Sequence, residues 1–194
     1  MKRKRIRASI EIVERLLELG RLAYGSLPAE PGLTRTQWAA LHYFARANNY
    51  SRTASAFGSF HATTPGTVSE TISNLVRRGL LTRCRSTSDR RNVYLDLTER
   101  GWEVLRNDPS GTLDRAVEEL PAGQATMLAD ALTRLTAKVA GEQRRPLFGV
   151  CRRCKYFEVD RTSVVDTPRE GCRLLNVLLD SEDAAALCVG FEQQ

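Results

Sequence analysis

The stretch Thr63-Thr64-Pro65-Gly66-Thr67-Val68-Ser69-Glu70-Thr71-Ile72-Ser73-Asn74-Leu75-Val76-Arg77-Arg78-Gly79 decides how this chain is read. Thr63 or Thr64 is a capping residue, and Pro65 follows in the first turn, where a missing N–H removes no helical hydrogen bond. Val68, Ile72, Leu75 and Val76 recur at helical spacing on one side, and Gly79 supplies the stop. The exposed first turns offer Thr64, Thr67, Ser69, Glu70 and Ser73, short polar side chains suited to base edges and phosphates. The pattern predicts a helix over 65–78 that fits a major groove about 12 Å wide, with backbone N–H groups at its start adding an anion site.

Downstream of Gly79 the period changes from helical to alternating. Leu81, Arg83 and Arg85 lead into a polar turn over 86–91, and Val93, Leu95 and Leu97 follow at spacing two, as a two-stranded hairpin does. Upstream, Thr34 caps a helix reaching Arg46, and Ser51 is placed to cap a short helix over 52–60. Helices followed by an antiparallel ribbon are the order of a winged helix-turn-helix. The helix enters the major groove, and the hairpin lies along the flanking backbone or in the adjacent minor groove. Arg77, Arg78, Arg83, Arg85, Arg90, Arg91 and Arg100 fall within 24 residues, and guanidinium forks match phosphate oxygens well.

Further out, Ile6, Ile10, Val13, Leu16, Leu17, Leu19 and Leu22 make an amphipathic helix to about Tyr24, broken by 25–32 with Pro28 and Pro31. Thr98 caps another helix through Leu105. Leu113, Val117 and Leu120, then Leu128, Leu132, Leu135 and Val139, continue the helical pattern up to a charged linker over 141–146. Four segments result: an N-terminal helix over 1–32, a DNA-binding lobe over 33–100, further helices and linker over 101–146, and a cysteine-rich tail over 147–194.

Charge follows the same division. The 194 residues sum to +6, but residues 147–194 hold six Lys/Arg against eight Asp/Glu, so the tail is −2 and residues 1–146 carry +8. The first part is a candidate polyanion binder and the tail is not. No apolar run reaches membrane-spanning length and the start lacks a signal-peptide core, so a cytoplasmic location without membrane contact is expected.

The chain resembles the MarR family over about residues 6–140. The resemblance rests on Leu33-Thr34-Arg35-Thr36-Gln37-Trp38, on Thr67-Val68-Ser69 with Leu75-Val76-Arg77-Arg78-Gly79-Leu80-Leu81-Thr82-Arg83, and on Asp89-Arg90-Arg91 followed by Leu97-Thr98-Glu99-Arg100-Gly101. It implies a mainly α fold with a small β hairpin: a winged helix-turn-helix dimer with long dimerisation helices. It also implies a pseudo-palindromic double-stranded DNA operator, and in many members a small aromatic acid as effector between the DNA lobes and the dimer helices. In that family Asp89 would orient Arg91 into the minor groove. The apolar faces over 6–22 and 128–139 independently fit a dimer, whose half-sites would lie about one helical turn apart.

The tail is a small metal-binding extension in this reading. It runs Cys151-Arg152-Arg153-Cys154, seventeen residues, Cys172, fifteen residues, Cys188. Four thiolates can close a tetrahedral zinc site or hold an iron–sulfur cluster. Four-cysteine zinc sites usually bring two Cys-x-x-Cys pairs, and here there is one. The tail is similar to the cluster-binding part of high-potential iron–sulfur proteins, in Cys151-x-x-Cys154-Lys155-Tyr156-Phe157, Gly171-Cys172-Arg173-Leu174-Leu175 and Cys188-x-x-Phe191. That resemblance implies a [4Fe-4S] cluster sensing redox state, nitric oxide or iron. Zn²⁺ as a structural clamp and metal-free thiols remain the alternatives.

An enzyme needs a nucleophile with its base, a phosphate-cradling loop or an open metal site. The chain has two histidines, His42 and His61, and no glycine-rich phosphate loop. A thiol oxidoreductase using Cys151 and Cys154 lacks the strand-helix context that chemistry requires. An electron carrier fused to a DNA-binding scaffold is the other rival. Cys84 stands between Arg83 and Arg85, which would lower its thiol pKa if it were exposed.

Overall fold

A computed structural model describes residues 2–25, 32–85, 93–107, 111–160 and 169–193. In chain order the elements are α1 (Lys2–Gly25), α2 (Arg35–Arg46), α3 (Ala54–His61), α4 (Pro65–Arg77), β1 (Leu81–Arg85), β2 (Val93–Leu97), α5 (Glu99–Arg106), α6 (Gly111–Glu118) and α7 (Gln124–Glu142). The cysteine-rich part follows as β3 (Gly149–Val150), a 3₁₀ turn (Cys151–Arg153), β4 (Phe157–Asp160), β5 (Arg169–Cys172), β6 (Val177–Leu179), α8 (Ser181–Ala185) and β7 (Leu187–Cys188).

The caps explain where the helices of the lobe begin. Thr34 makes a capping box with Gln37, each side chain bonding the other residue's backbone N–H. Thr64 accepts from Thr67 N with Pro65 in the first turn, and Thr98 accepts from Gly101 N at the start of α5. Thr53, not Ser51, caps α3. Ser51 is instead fully buried, with its hydroxyl accepting from Val189 N at 2.9 Å. A hydroxyl so close to a helix start reads as a cap in sequence, and only the distant strand shows its other use.

Alpha-helix α2 sits at the centre of the lobe. Trp38, Ala40, Leu41, Tyr43 and Phe44 are buried among Ala56 and Phe57 of α3, Val68, Ile72 and Leu75 of α4, Leu81 and Leu95 of the hairpin, and Val104 of α5. The Tyr43 ring meets Phe44 edge-on at 5.3 Å and lies 5.6 Å from Phe57, favourable separations for aromatic pairs. Strands β1 and β2 pair antiparallel from Leu81 opposite Leu97 to Arg85 opposite Val93. At the base of this hairpin Thr98 Oγ1 donates to Gly79 O and Thr98 N to Leu80 O, while Gly79 takes the left-handed φ of 67° that ends α4.

The cysteine-rich part is a small β structure packed on this lobe. Strands β4, β5 and β6 form an antiparallel meander, and β3 pairs with β7, bringing Gly149 opposite Cys188. Phe148, Leu187 and Val189 pack against the core of the lobe, with Phe148 edge-on to Phe60 at 5.0 Å. Ala47 and Leu187 form a parallel bridge. The tail is thus seated on the lobe.

Helices α1, α6 and α7 leave apolar side chains exposed, among them Ile10, Val13, Leu17, Leu22, Val117, Met127, Leu128, Leu135 and Val139. No helix among the described residues is long and apolar enough to cross a membrane.

Gly101 locks α5 onto the hairpin base. A Cβ there would lie 2.3 Å from Leu80 O and 3.1 Å from Leu97 Cδ2, and the first of these is backbone that cannot swing aside. Gly101→Ala is expected to destabilise the protein by about 1–3 kcal/mol as an overpacked substitution, read from the midpoint of urea unfolding.

Candidate nucleic-acid interface and cysteine site

Thr64, Thr67, Ser69, Glu70 and Ser73 of the α4 region are all exposed, as is Arg83 on β1. The fold brings these together: Arg83 Nη2 approaches Ser73 Oγ at 3.5 Å, so hairpin and helix present polar groups side by side. Behind them, a cavity of about 820 Å³ opens between α3, α4 and the hairpin, lined by residues including Ser55, Ser69, Arg83 and Val93. Thr64 has a second duty, since its hydroxyl both caps α4 and lies 3.0 Å from Thr67 Oγ1. Arg77 is exposed at the last turn and its guanidinium bonds Asn74 Oδ1, which places its charge at the helix C-terminal end. Arg85 belongs to β1, while Asp89, Arg90 and Arg91 lie outside the described residues.

Cys84 is half-buried opposite Tyr94, and burial together with the Asp96 carboxylate pushes its thiol pKa up. The lowering that an exposed thiol would have shown does not arise, because Cys84 is half-buried, as a small residue packed in the hairpin would be.

The four tail cysteines come together. Cys151, Cys154, Cys172 and Cys188 are each buried, arrive from the 3₁₀ turn, the residue after it, β5 and β7, and line a single cavity of about 90 Å³. Tyr50, Phe157, Leu174, Leu175, Leu179 and Val189 complete its wall. No disulfide joins the cysteines. Among the described residues no three His, Cys, Asp or Glu side chains already converge as a lone metal ion would require.

Hydrogen-bond donors surround the sulfurs. Asn48 Nδ2 donates to Cys151 Sγ at 3.3 Å and Glu192 N to Cys154 Sγ at 3.5 Å. The neighbouring Cys151 thiol holds the Cys188 thiol down to about 6 against the opposing effect of burial, while Cys188 and burial push the Cys151 thiol well above the usual range. The donor set fits a metal–sulfur centre: four soft ligands, an apolar wall, and N–H groups aimed at sulfur.

Outside the cavity the part is tied by charge. Arg152 forms a fork with Glu170, Nε to Oε1 at 3.0 Å and Nη2 to Oε2 at 3.1 Å, joining the 3₁₀ turn to β5. Lys155 pairs with Glu192, which also accepts from Tyr156 OH at 2.7 Å. These exposed pairs set geometry more than stability. The sequence reading missed Asn48, Asn49, Ser51 and Asp183; the buried polar pair Asn48 and Ser51 looked like a helix end and a cap.

A bundle of short helices around α2 with an antiparallel hairpin after α4 defines a winged helix-turn-helix lobe. Residues 32–92 match the model of the MarR family. Among solved structures, the chain is similar to CouR from Rhodococcus jostii RHA1 bound to p-coumaroyl-CoA, at 22% identity over 66% of this chain and 92% of that one, with a TM-score of 0.51. It also matches FabT from Streptococcus pneumoniae in complex with DNA, at 18% identity over 73% of this chain and 99% of that one, with a TM-score of 0.48. The likeness to CouR shows the fold. No curated protein sequence matches the chain. Residues 147–194, with all four tail cysteines, lie beyond the stretch matched by the family model.

Asp183 anchors the cysteine part to the lobe, accepting from Asn49 N at 2.8 Å and from Asn49 Nδ2 at 2.9 Å. Asp183→Ala should cost about 1–3 kcal/mol by leaving these donors without their acceptor. It should also speed proteolytic cleavage at the joint between lobe and tail, followed by mass spectrometry of the fragments.

Proposed function

We propose that this protein is a MarR-type DNA-binding transcriptional regulator, acting as a homodimer and as a repressor, whose tail cysteines hold an iron–sulfur cluster of the [4Fe-4S] type. The DNA reading is carried by one observation: α4 and β1 present Thr67, Ser69, Glu70, Ser73 and Arg83 on the same exposed face of a winged-helix lobe. In this reading α4 enters the major groove of a pseudo-palindromic operator, and the hairpin arginines contact the flanking backbone. Arg91, held by Asp89, reaches the minor groove. The exposed apolar side chains of α1, α6 and α7 give a dimer its buried surface, since so many unpaired leucines and valines on a soluble regulator need a partner.

The cluster reading is supported by the four buried sulfurs lining one cavity and by the N–H donors around them. A bound cluster would supply a redox-active centre that also responds to nitric oxide and to iron supply. The chain's own part is to bury the sulfurs, exclude water with Phe157, Leu174, Leu175 and Leu179, and fix the sulfur positions through backbone pairing of β3 with β7.

A second reading keeps the DNA lobe and replaces the cluster by a zinc clamp, with a small aromatic acid as effector. A separate observation favours it. A cavity of about 390 Å³ between α1, α3 and α7 is lined by Leu16, Phe60, Leu132, Leu135, Phe148 and Arg145, an apolar wall with one cation suited to a carboxylate.

Two measurements test the proposal. Anaerobically purified protein should be brown, with a broad visible absorbance and about four iron and four sulfide per chain; one zinc and no colour would favour the clamp instead. Binding to a duplex selected from a random pool should weaken linearly on a log–log salt plot, and Arg91→Ala should cost about 1–3 kcal/mol of specific affinity. A single-chain species indifferent to every duplex at low salt would end the regulator reading.

A further inference from the structure

The turn joining α2 to α3, residues 47–52, faces two ways. Toward the tail, Asn48 N donates to Leu187 O at 2.9 Å, Ser51 Oγ accepts from Val189 N, and Asn49 is doubly bonded to Asp183. Tyr50 lines the cysteine cavity, and Asn48 reaches Cys151 Sγ. Toward the lobe, Tyr43 OH donates to Ser51 O at 2.8 Å, and Arg52 Nε donates to Ala47 O at 3.0 Å. Arg52 Nη1 pairs with Asp96 of β2 at 2.7 Å, and Leu95 N donates to Arg52 O at 2.8 Å. The turn is therefore bonded to the wall of the cysteine cavity through Asn48 and Ser51 and to the wing through Arg52.

The Asn48 amide shows the direction of this design. It is 1% exposed, and its Oδ1 is buried with no hydrogen-bond partner among the described residues. Leaving a buried acceptor unsatisfied costs about 1–3 kcal/mol, so the amide is kept for its N–H. A protonated thiol could donate to an amide oxygen. A metal-bound thiolate has no proton to give and can only accept, which is the role Cys151 takes toward Asn48 Nδ2.

We propose that Asn48, on the turn of the DNA-reading lobe, is a positioning residue that donates to the sulfur of Cys151, and that DNA binding and the reduction potential of the cluster are linked in both directions through residues 47–52. This rests on the cluster reading above and names its regulation. Donors to thiolate sulfur draw off electron density and favour the more negative, reduced cluster. A change in cluster charge shifts the same donor, which is held on the backbone that fixes the start of α3 and the register of β2 against Arg52. By linkage, whatever factor DNA binding imposes on the oxidised-to-reduced ratio, reduction must impose on DNA affinity.

The test uses anaerobic full-length holoprotein, titrated potentiometrically with visible absorbance as readout, alone and with a duplex selected in vitro for binding. Asn48→Leu, which keeps side-chain bulk and loses the donor, should lower the potential by about 59 mV, a tenfold shift in the one-electron ratio, with iron and sulfide content unchanged. Asn48→Ala, which also loses the donor, should shift it in the same direction, and serves if Asn48→Leu does not load iron. Saturating duplex should move the wild-type potential, and oxidised and reduced protein should differ in duplex affinity by the matching factor. A loaded cluster whose potential ignores both substitutions and the duplex overturns the coupling while leaving the cluster reading intact. Wild-type protein lacking iron and sulfide overturns the cluster reading, and the coupling falls with it.

Discussion

The hydrogen bond from Tyr43 OH to Ser51 O is the constraint on which the arrangement depends. Tyr43 is buried at the centre of α2, and burial pushes its phenol pKa up, so the hydroxyl stays protonated and donates at any physiological pH. Its acceptor is the carbonyl of the residue whose side chain meets the tail. One aromatic side chain thereby fixes the lobe's core and the surface on which the cysteine part is seated. Because the donor is inside a packed core, the turn cannot move without disturbing Phe44 and Phe57 as well.

The cysteine part stands on that surface as an extension of the lobe. The β strands of the cysteine part, two to four residues each, offer little independent stability. Backbone pairing of Leu187 with Ala47 and Asn48, the Asn49–Asp183 bonds and the stacking of Phe148 on Phe60 supply what so short a segment lacks. Four buried thiols then lie where a metal–sulfur centre would complete the fold.

Much of the lobe was legible in the sequence because each element carries its own punctuation. Thr34, Thr64 and Thr98 are caps in sequence and in structure, Gly79 ends α4, and Leu95 and Leu97 alternate as strand residues should. The grouping of the four cysteines was expected from their clustering, although spacing could not show which sulfur would meet which donor. The joint between lobe and tail was not legible. Asn48, Asn49 and Ser51 make their partners more than a hundred residues away, and no local period encodes such a contact. For Cys84 the outcome turned on exposure, which the sequence left open and which its half-buried place in the hairpin decides.

Phe191 is buried with its ring resting on Gly149, where a Cβ would come within 2.8 Å of it. Lys155 N donates to Glu192 O at 2.9 Å, and Cys154 pairs with Gln193 in an antiparallel bridge. Residues 191–193 therefore act as a structural plug, and emptying the space that the Phe191 ring fills would loosen the very walls that shelter the thiols.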